Sequence, residues 1–349
     1  MRDVAVVGFA QRQMKEFEGS PTCVELLVPI FAELFEQTGW TKDDIGFWCS
    51  GSSDYLAGRS FSFVTAVDAI GALPPVMESH VEMDAAWALY EAWIKIQTGE
   101  VDTALVYGFG KASAGVLRRT LALQLDPYTM TPLWPDTVSI AGMQARLGIE
   151  HGRWDARAMA AVVAHSRTSS LDNEYAVLKG AMSVDDVLAE ELYADPLRRS
   201  DCAPVNDGAA AIVLAASERA GEASTRPAWI TGIEHRVDPL HLGARDLTRS
   251  PSAAAAGKAA GSAGVDLAEL HAPFSHQELI LREELGLSEN TRINPSGGAL
   301  GANPMFSAGL IRIGEAAKRI WAGESDKALG HATSGPALQQ NLVCVMEGR

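Results

Sequence analysis

The chain is short of positive charge, poor in cysteine and free of long apolar runs, and each shortage excludes something. Lys and Arg number 29 against 44 Asp and Glu, a formal net charge of −15 with a pI near 5.0. A surface of that sign opposes nucleic-acid binding, which is driven by clustered cations that release counterions. Any anionic ligand must therefore find a local basic pocket. The four cysteines, Cys23, Cys49, Cys202 and Cys344, are scattered without a CxxC spacing. That pattern opposes a disulfide framework or a zinc site and reads as buried free thiols. No stretch approaches the roughly 18 apolar residues of a membrane span, and the run Val4-Ala5-Val6-Val7 is too short for a signal-peptide core. A soluble, cytoplasmic protein is expected.

What is present is enough apolar material for two core-forming units or one duplicated domain: 349 residues, 47% of them hydrophobic. Periodicity predicts a strand over 3–8, a helix over 24–38, a strand over 45–49, a helix over 61–70, a nearly all-apolar helix over 85–98 and a strand over 103–108. A helix apolar on every side belongs inside a layered core. The segment Ile96-Gln97-Thr98-Gly99-Glu100-Val101-Asp102-Thr103-Ala104-Leu105 recurs 224 residues later as Ile320 to Leu329, with six of ten residues identical. Asp44 to Cys49 matches Asp266 to His271 in pattern, 222 residues on. Two regions at nearly one spacing imply an internal repeat. The expected organisation is a first βαβ-type half over 1–110, an inserted region over 111–200, a strand within 201–225 that completes the first half, and a second half over 226–349. Pro127, Pro132 and Pro135 are expected to break the insertion into loops and short helices, and Arg118, Arg119, Arg146, Arg153, Arg157 and Arg167 are its candidates for a basic pocket.

Candidate chemistry gathers at strand ends and helix starts. Glu82, just ahead of the apolar helix, is expected to be desolvated with a raised pKa, while Asp84 beside it reads as a cap. His271 and His276 follow a predicted strand and titrate near neutrality, suited to shuttling a proton. The Gly-rich run Asn294 to Pro304 lets backbone approach a ligand at Ser296, Gly297 and Gly298, and places Asn303 to donate to a thioester oxygen. His331 follows the repeated GExDxAL. No metal-ligand set stands out.

At these residues the chain resembles the thiolase superfamily, and within it the sterol carrier protein X and lipid-transfer branch. Cys202-Ala203-Pro204-Val205-Asn206-Asp207-Gly208-Ala209-Ala210-Ala211 is similar to that branch's C-P-x-x-D-G-A-A-A, and Asn294-Pro295-Ser296-Gly297-Gly298 to its NPSGG. His271-Ala272-Pro273-Phe274 stands where the branch carries HDCF and typical thiolases NEAF. The resemblance implies the thiolase fold, an α/β/α/β/α layering of two duplicated halves with an inserted loop domain. It also exposes departures. Glu82 stands in place of the nucleophilic cysteine, Asn303 in place of the GHP histidine, and His331 where many members carry a second cysteine. A site of this kind resembles that of actinobacterial steroid side-chain-cleaving aldolases, which pair with a small OB-fold, zinc-ribbon protein. The resemblance implies retro-aldol cleavage of a β-hydroxyacyl-CoA, with coenzyme A as part of the substrate, no covalently bound cofactor and a homodimeric state. His271 or His276 is then the expected base, His331 or Glu82 the acid or second base, and Asn303 the thioester donor. Two other readings stand beside it: an acyltransferase that recruits Cys49, and a non-catalytic lipid- or acyl-CoA-binding subunit.

Overall fold

The computed structural model describes residues 2–14, 21–57, 60–71 and 75–349. Strands β1 (Val4–Met14), β2 (Phe47–Gly51), β3 (Glu78–Val81), β4 (Thr103–Gly110) and β5 (Asp207–Ala216) build the first half of the sheet. The second half holds β6 (Ala228–Val237), β7 (Leu267–Glu269), β8 (Arg292–Ile293), β9 (Lys327–Ser334) and β10 (Gln340–Gly348). The first half runs β1-β5-β4-β2-β3 across the sheet and the second β6-β10-β9-β7-β8. Both orders begin with two antiparallel pairings and end with two parallel ones. The repeat is thus one topology used twice. Ala5 and Val6 pair with Trp229 and Ala228, joining the halves edge to edge into ten strands.

Seven helices position the site: α1 (Cys23–Thr38), α2 (Ala85–Gln97), α3 (Thr137–Glu150), α4 (Ala156–Ser169), α5 (Pro251–Ala260), α6 (Ser275–Glu284) and α7 (Ala308–Trp321). The repeated helices α2 and α7 share one core with Phe47, Val106 and Ile212 of the first half and Leu267, Leu342 and Cys344 of the second. Helix α1 covers the outer face of the first half, and α5 and α6 that of the second. The result is the α/β/α/β/α layering of the thiolase fold. Local sequence sets the ends: α1 starts at a reciprocal Thr22–Glu25 capping box and stops at Gly39, whose φ of 74° suits glycine.

Two expectations change. Helix α2 is buried on every side only over its first turn, Ala85 to Leu89, and beyond it Glu91 is exposed and Trp93 and Ile94 half-buried, whereas α7 is buried without a break from Ala308 to Ala317. The insertion is more regular than loops and short helices. Pro127, Pro132 and Pro135 precede residue 137 and Pro196 comes after residue 169, so α3 and α4 run 14 residues each, capped by Asp136 and Asp155. Among the described residues no helix is long and apolar enough to cross a membrane.

Candidate functional site

The two halves meet at the segment 303–307, immediately before α7. The Ala85 N–H at the start of α2 donates to the Phe306 carbonyl at 2.9 Å, and the Asn303 N–H donates to Asn206 Oδ1 at 2.7 Å. Gly108 and Gly110 of β4 make this approach possible: a Cβ on either would stand 2.5 Å from the Phe306 carbonyl oxygen or 2.1 Å from that of Met305. Phe306 itself has φ of 66°, a left-handed conformation that costs a bulky residue free energy and is held by its surroundings.

Asn303 and His271 form the polar centre of this junction. His271 Nε2 lies 2.9 Å from Asn303 Oδ1, and the Thr333 N–H donates to His271 Nδ1 at 3.3 Å. Because Nδ1 accepts, Nε2 carries the proton and Asn303 must present its oxygen to the ring. The same orientation turns the partly exposed Asn303 NH2 away from His271, and among the described residues it donates to no protein atom. Burial, the nearby His331 and Arg312 depress the His271 pKa to about 3, so the ring is neutral. Asn294 anchors the loop that carries His271, accepting from the Leu270 N–H at 2.6 Å and donating to Glu278 at 2.7 Å.

His331 is near this centre but behind it. Its Nε2 lies 3.0 Å from Asn341 Oδ1, and Asn341 Nδ2 reaches the Ser250 and Ser252 hydroxyls and the Leu338 carbonyl. Those acceptors fix the amide, hence the Nε2–H tautomer. Burial lowers the His331 pKa to about 4.

The structure does not bring the other expected residues to the centre. His276 is fully buried on α6 against Trp154 and Phe274, with Nε2 3.0 Å from Gln144. It belongs to the packing of the insertion on the second half. Glu82 is exposed rather than desolvated: it accepts from the Asp54 N–H at 2.8 Å and lies 3.4 Å from His80. The carboxylate that enters the core is Asp84. It accepts from the N–H groups of Ala86 in α2 and of Gly309 and Leu310 in α7, so one side chain caps both central helices. Burial raises its pKa, opposed by those three N–H groups. The positive ends of the two helices are therefore spent on Asp84 and are not open to a substrate oxyanion. The sequence marked Asp84 only as a cap, and nothing in local pattern shows that a second helix starts against it.

Ser296, Gly297 and Gly298 are buried and make no bond to His271 or Asn303 among the described residues. Ser296 is buried in the ion pair Glu269–Arg312, giving both its N–H and its hydroxyl to Glu269 and accepting from Arg312. Gly297 has φ of 95°, and a Cβ there would meet the Ser170 hydroxyl at 2.0 Å. The insertion arginines also divide. Arg118, Arg146, Arg153 and Arg157 pair with Asp136, Asp195, Glu283 and Asp185, and Arg167 holds the Leu300 carbonyl. Arg118 and Arg119 share a depression of about 390 Å³ with Val116, Trp134 and Asp136. Among the described residues no cluster of three or more His, Cys, Asp or Glu is set to hold a metal ion.

All four cysteines are buried. Desolvation raises Cys49, Cys202 and Cys344 to about 12, against the thiolate that nucleophilic attack requires. Native protein treated with iodoacetamide is accordingly expected to keep all four thiols unmodified by mass, and unfolded protein to lose all four. Rapid native labelling of Cys49 would restore it as a nucleophile.

The buried histidines set a second expectation. The His276 pKa falls to about 3, so the unfolded chain takes up a proton below pH 6.5 that the fold refuses. Stability is complete above that pH and is lost as pH falls from 6.5 toward 3. Relative to His276→Gln, the wild type is expected to lose about 1.4 kcal/mol per pH unit within this window. Denaturant titrations of both proteins near neutrality and in mild acid read the difference; a difference that ignores pH would mean a solvated or charged ring.

No protein-family model matches the chain. It is 28% identical to an acetyl-CoA acetyltransferase of Methanocaldococcus jannaschii, over 90% of this chain and 89% of that protein. It is 29% identical to sterol carrier protein 2 of Homo sapiens, over 73% of this chain and 54% of that protein. Among solved structures, an Ltp2-ChsH2(DUF35) aldolase matches at a TM-score of 0.81, over 99% of this chain and 98% of that one, with 17% identity. The chain therefore has the thiolase fold, and its relatives in sequence include acetyl-CoA acetyltransferases, a thiolase subunit and sterol carrier protein 2.

Proposed function

We propose that the chain cleaves a carbon–carbon bond in a β-hydroxyacyl-CoA by a retro-aldol step, without a covalent acyl-enzyme. The observation that carries this reading is the His271–Asn303 pair, which leaves an amide donor at the junction of the halves while every thiol is sealed in the core. In the cleavage the β-hydroxyl proton leaves, the Cα–Cβ electrons pass to the thioester as an enolate, and the β-carbon departs as a carbonyl compound. Asn303 Nδ2 holds the enolate oxygen. His271 accepts the hydroxyl proton through Nδ1, whose bond to Thr333 is long at 3.3 Å and exchangeable for a substrate hydroxyl. The same proton then returns to Cα, so atoms and charge balance.

The resemblance to steroid side-chain-cleaving aldolases and the aldolase among the structural neighbours support a steroid side chain as the acyl group and an OB-fold, zinc-ribbon protein as partner. Arg118 and Arg119 are the candidates to meet the CoA phosphates. A homodimer is supported by β3, which ends the strand order among the described residues, and by exposed Tyr55, Phe61, Val64 and Met77 in the segments that precede it. One observation favours the acyl-CoA-binding subunit instead: both His271 nitrogens are engaged within the protein.

The test is incubation of the purified chain, alone and with its OB-fold partner, with a steroid β-hydroxyacyl-CoA and no free CoA. A shortened acyl-CoA together with the released carbonyl compound, both found by mass spectrometry, establishes the lyase. Binding without turnover in both preparations selects the binding subunit, and an acyl adduct on the protein selects the acyltransferase.

A further inference from the structure

A cavity of about 850 Å³ shares no lining residue with the His271–Asn303 centre and lies along the outer edge of the second half, where β8 ends the strand order. Its floor is apolar, made by Ala158, Ala161 and Val162 of α4, Leu279 of α6, and Ile293 and Pro295. Positions 158, 161, 162 and 165 fall on one face of α4, and Ala161 and His165 on that face are exposed.

The charge over this floor runs against that of the whole chain. The cavity is lined by Arg282, Arg292 and His165 with one acid, Asp172, in a protein of net charge −15. Arg282 gives one N–H to the buried Glu278 beneath it, while its Nε–H is buried with no partner among the described residues. Arg292 is about half exposed; its Nη2 bonds the Glu324 carbonyl at 2.8 Å and lies 3.9 Å from the half-exposed Glu324 carboxylate, while among the described residues its Nε and Nη1 make no bond. An apolar trough with two guanidinium groups suits an apolar chain that ends in a carboxylate, because guanidinium matches a carboxylate in a planar, two-bond geometry. The volume also lies in the range of small-molecule sites.

We propose that this groove is a second ligand site, which takes a long-chain carboxylate with its chain on the α4–α6 floor and its head between Arg282 and Arg292. Helix α4 forms the groove wall and also holds the segment leading to Asn303, through His165 to the Ile293 carbonyl at 2.7 Å and Ser166 to the Gly297 carbonyl at 2.6 Å.

Calorimetric titration of the full chain with dodecanoate, below its micelle concentration, tests this. One site is expected. Arg292→Gln weakens it about tenfold, Ala161→Trp abolishes it by filling the floor, and Asn303→Ala or saturating CoA leaves it unchanged. Both groove substitutions fall at exposed positions, and thermal melts of the variants confirm folding. Absence of dodecanoate binding, or binding that survives Ala161→Trp, overturns the proposal. So does displacement by CoA, which would assign the carboxylate to the acyl-CoA site.

Discussion

Replacing Asn303 with alanine is expected to lower turnover of a β-hydroxyacyl-CoA by about 10²–10³-fold with little change in KM, the loss typical of one oxyanion donor. The donor acts on charge that develops only as the Cα–Cβ bond breaks, so its removal shows in kcat. Asn303→Asp sharpens the test. A carboxylate at 303 still accepts from His271 Nε2, yet faces the enolate with negative charge, so it should be slower than alanine. His271→Ala is expected to cost about 10²–10⁴-fold, since it removes both the proton acceptor and the group that orients the amide. Steady-state kinetics of the three variants decide the matter, and turnover within a few-fold of wild type for Asn303→Ala would remove it from the chemistry.

The largest stability effect is expected at Glu269→Ala. Glu269 and Arg312 are 3.1 Å apart with side chains 0% and 2% exposed, and Ser296 is bonded to both. Truncating the acid leaves a guanidinium in the core without its counter-charge, at a cost of about 3–5 kcal/mol. Arg157→Ala breaks a pair with side chains 65% and 81% exposed and should change stability by less than about 1 kcal/mol. Removing both charges together, as Glu269→Leu with Arg312→Met, should cost less than Glu269→Ala alone. Unfolding midpoints in denaturant compare the four proteins. Equal losses for Glu269→Ala and Arg157→Ala would mean that Arg312 finds water or another partner.

Much of the fold was legible because short-range physics carried it. The helix at 24–38 is announced by a regular apolar stripe, and it forms over Cys23–Thr38. The repeat at Gly99-Glu100 and Gly323-Glu324 exposed the duplication, which the strand orders bear out. The insertion was misjudged because prolines concentrated at 127–135 were weighed over the proline-free stretch that becomes α3 and α4. Within the site, Asn303 and His271 were singled out separately, but their shared hydrogen bond spans 32 residues and two loops. His276, only five residues from His271, is turned into the opposite packing by the first turn of α6.

By itself the sequence determined the duplication, the positions of the principal helices and strands, the absence of an accessible disulfide or zinc pattern and the residue types available for chemistry. These depend on periodicity, capping and composition, which act over a few residues or repeat along the chain. The tertiary structure alone decided which of those residues meet. It turned Glu82 outward and brought Asp84 between two helix starts 223 residues apart. It locked His271 and His331 as neutral Nε2–H tautomers through Asn303 and Asn341. Burial and hydrogen-bond direction set a group's charge and reach, and both arise only when distant segments pack together.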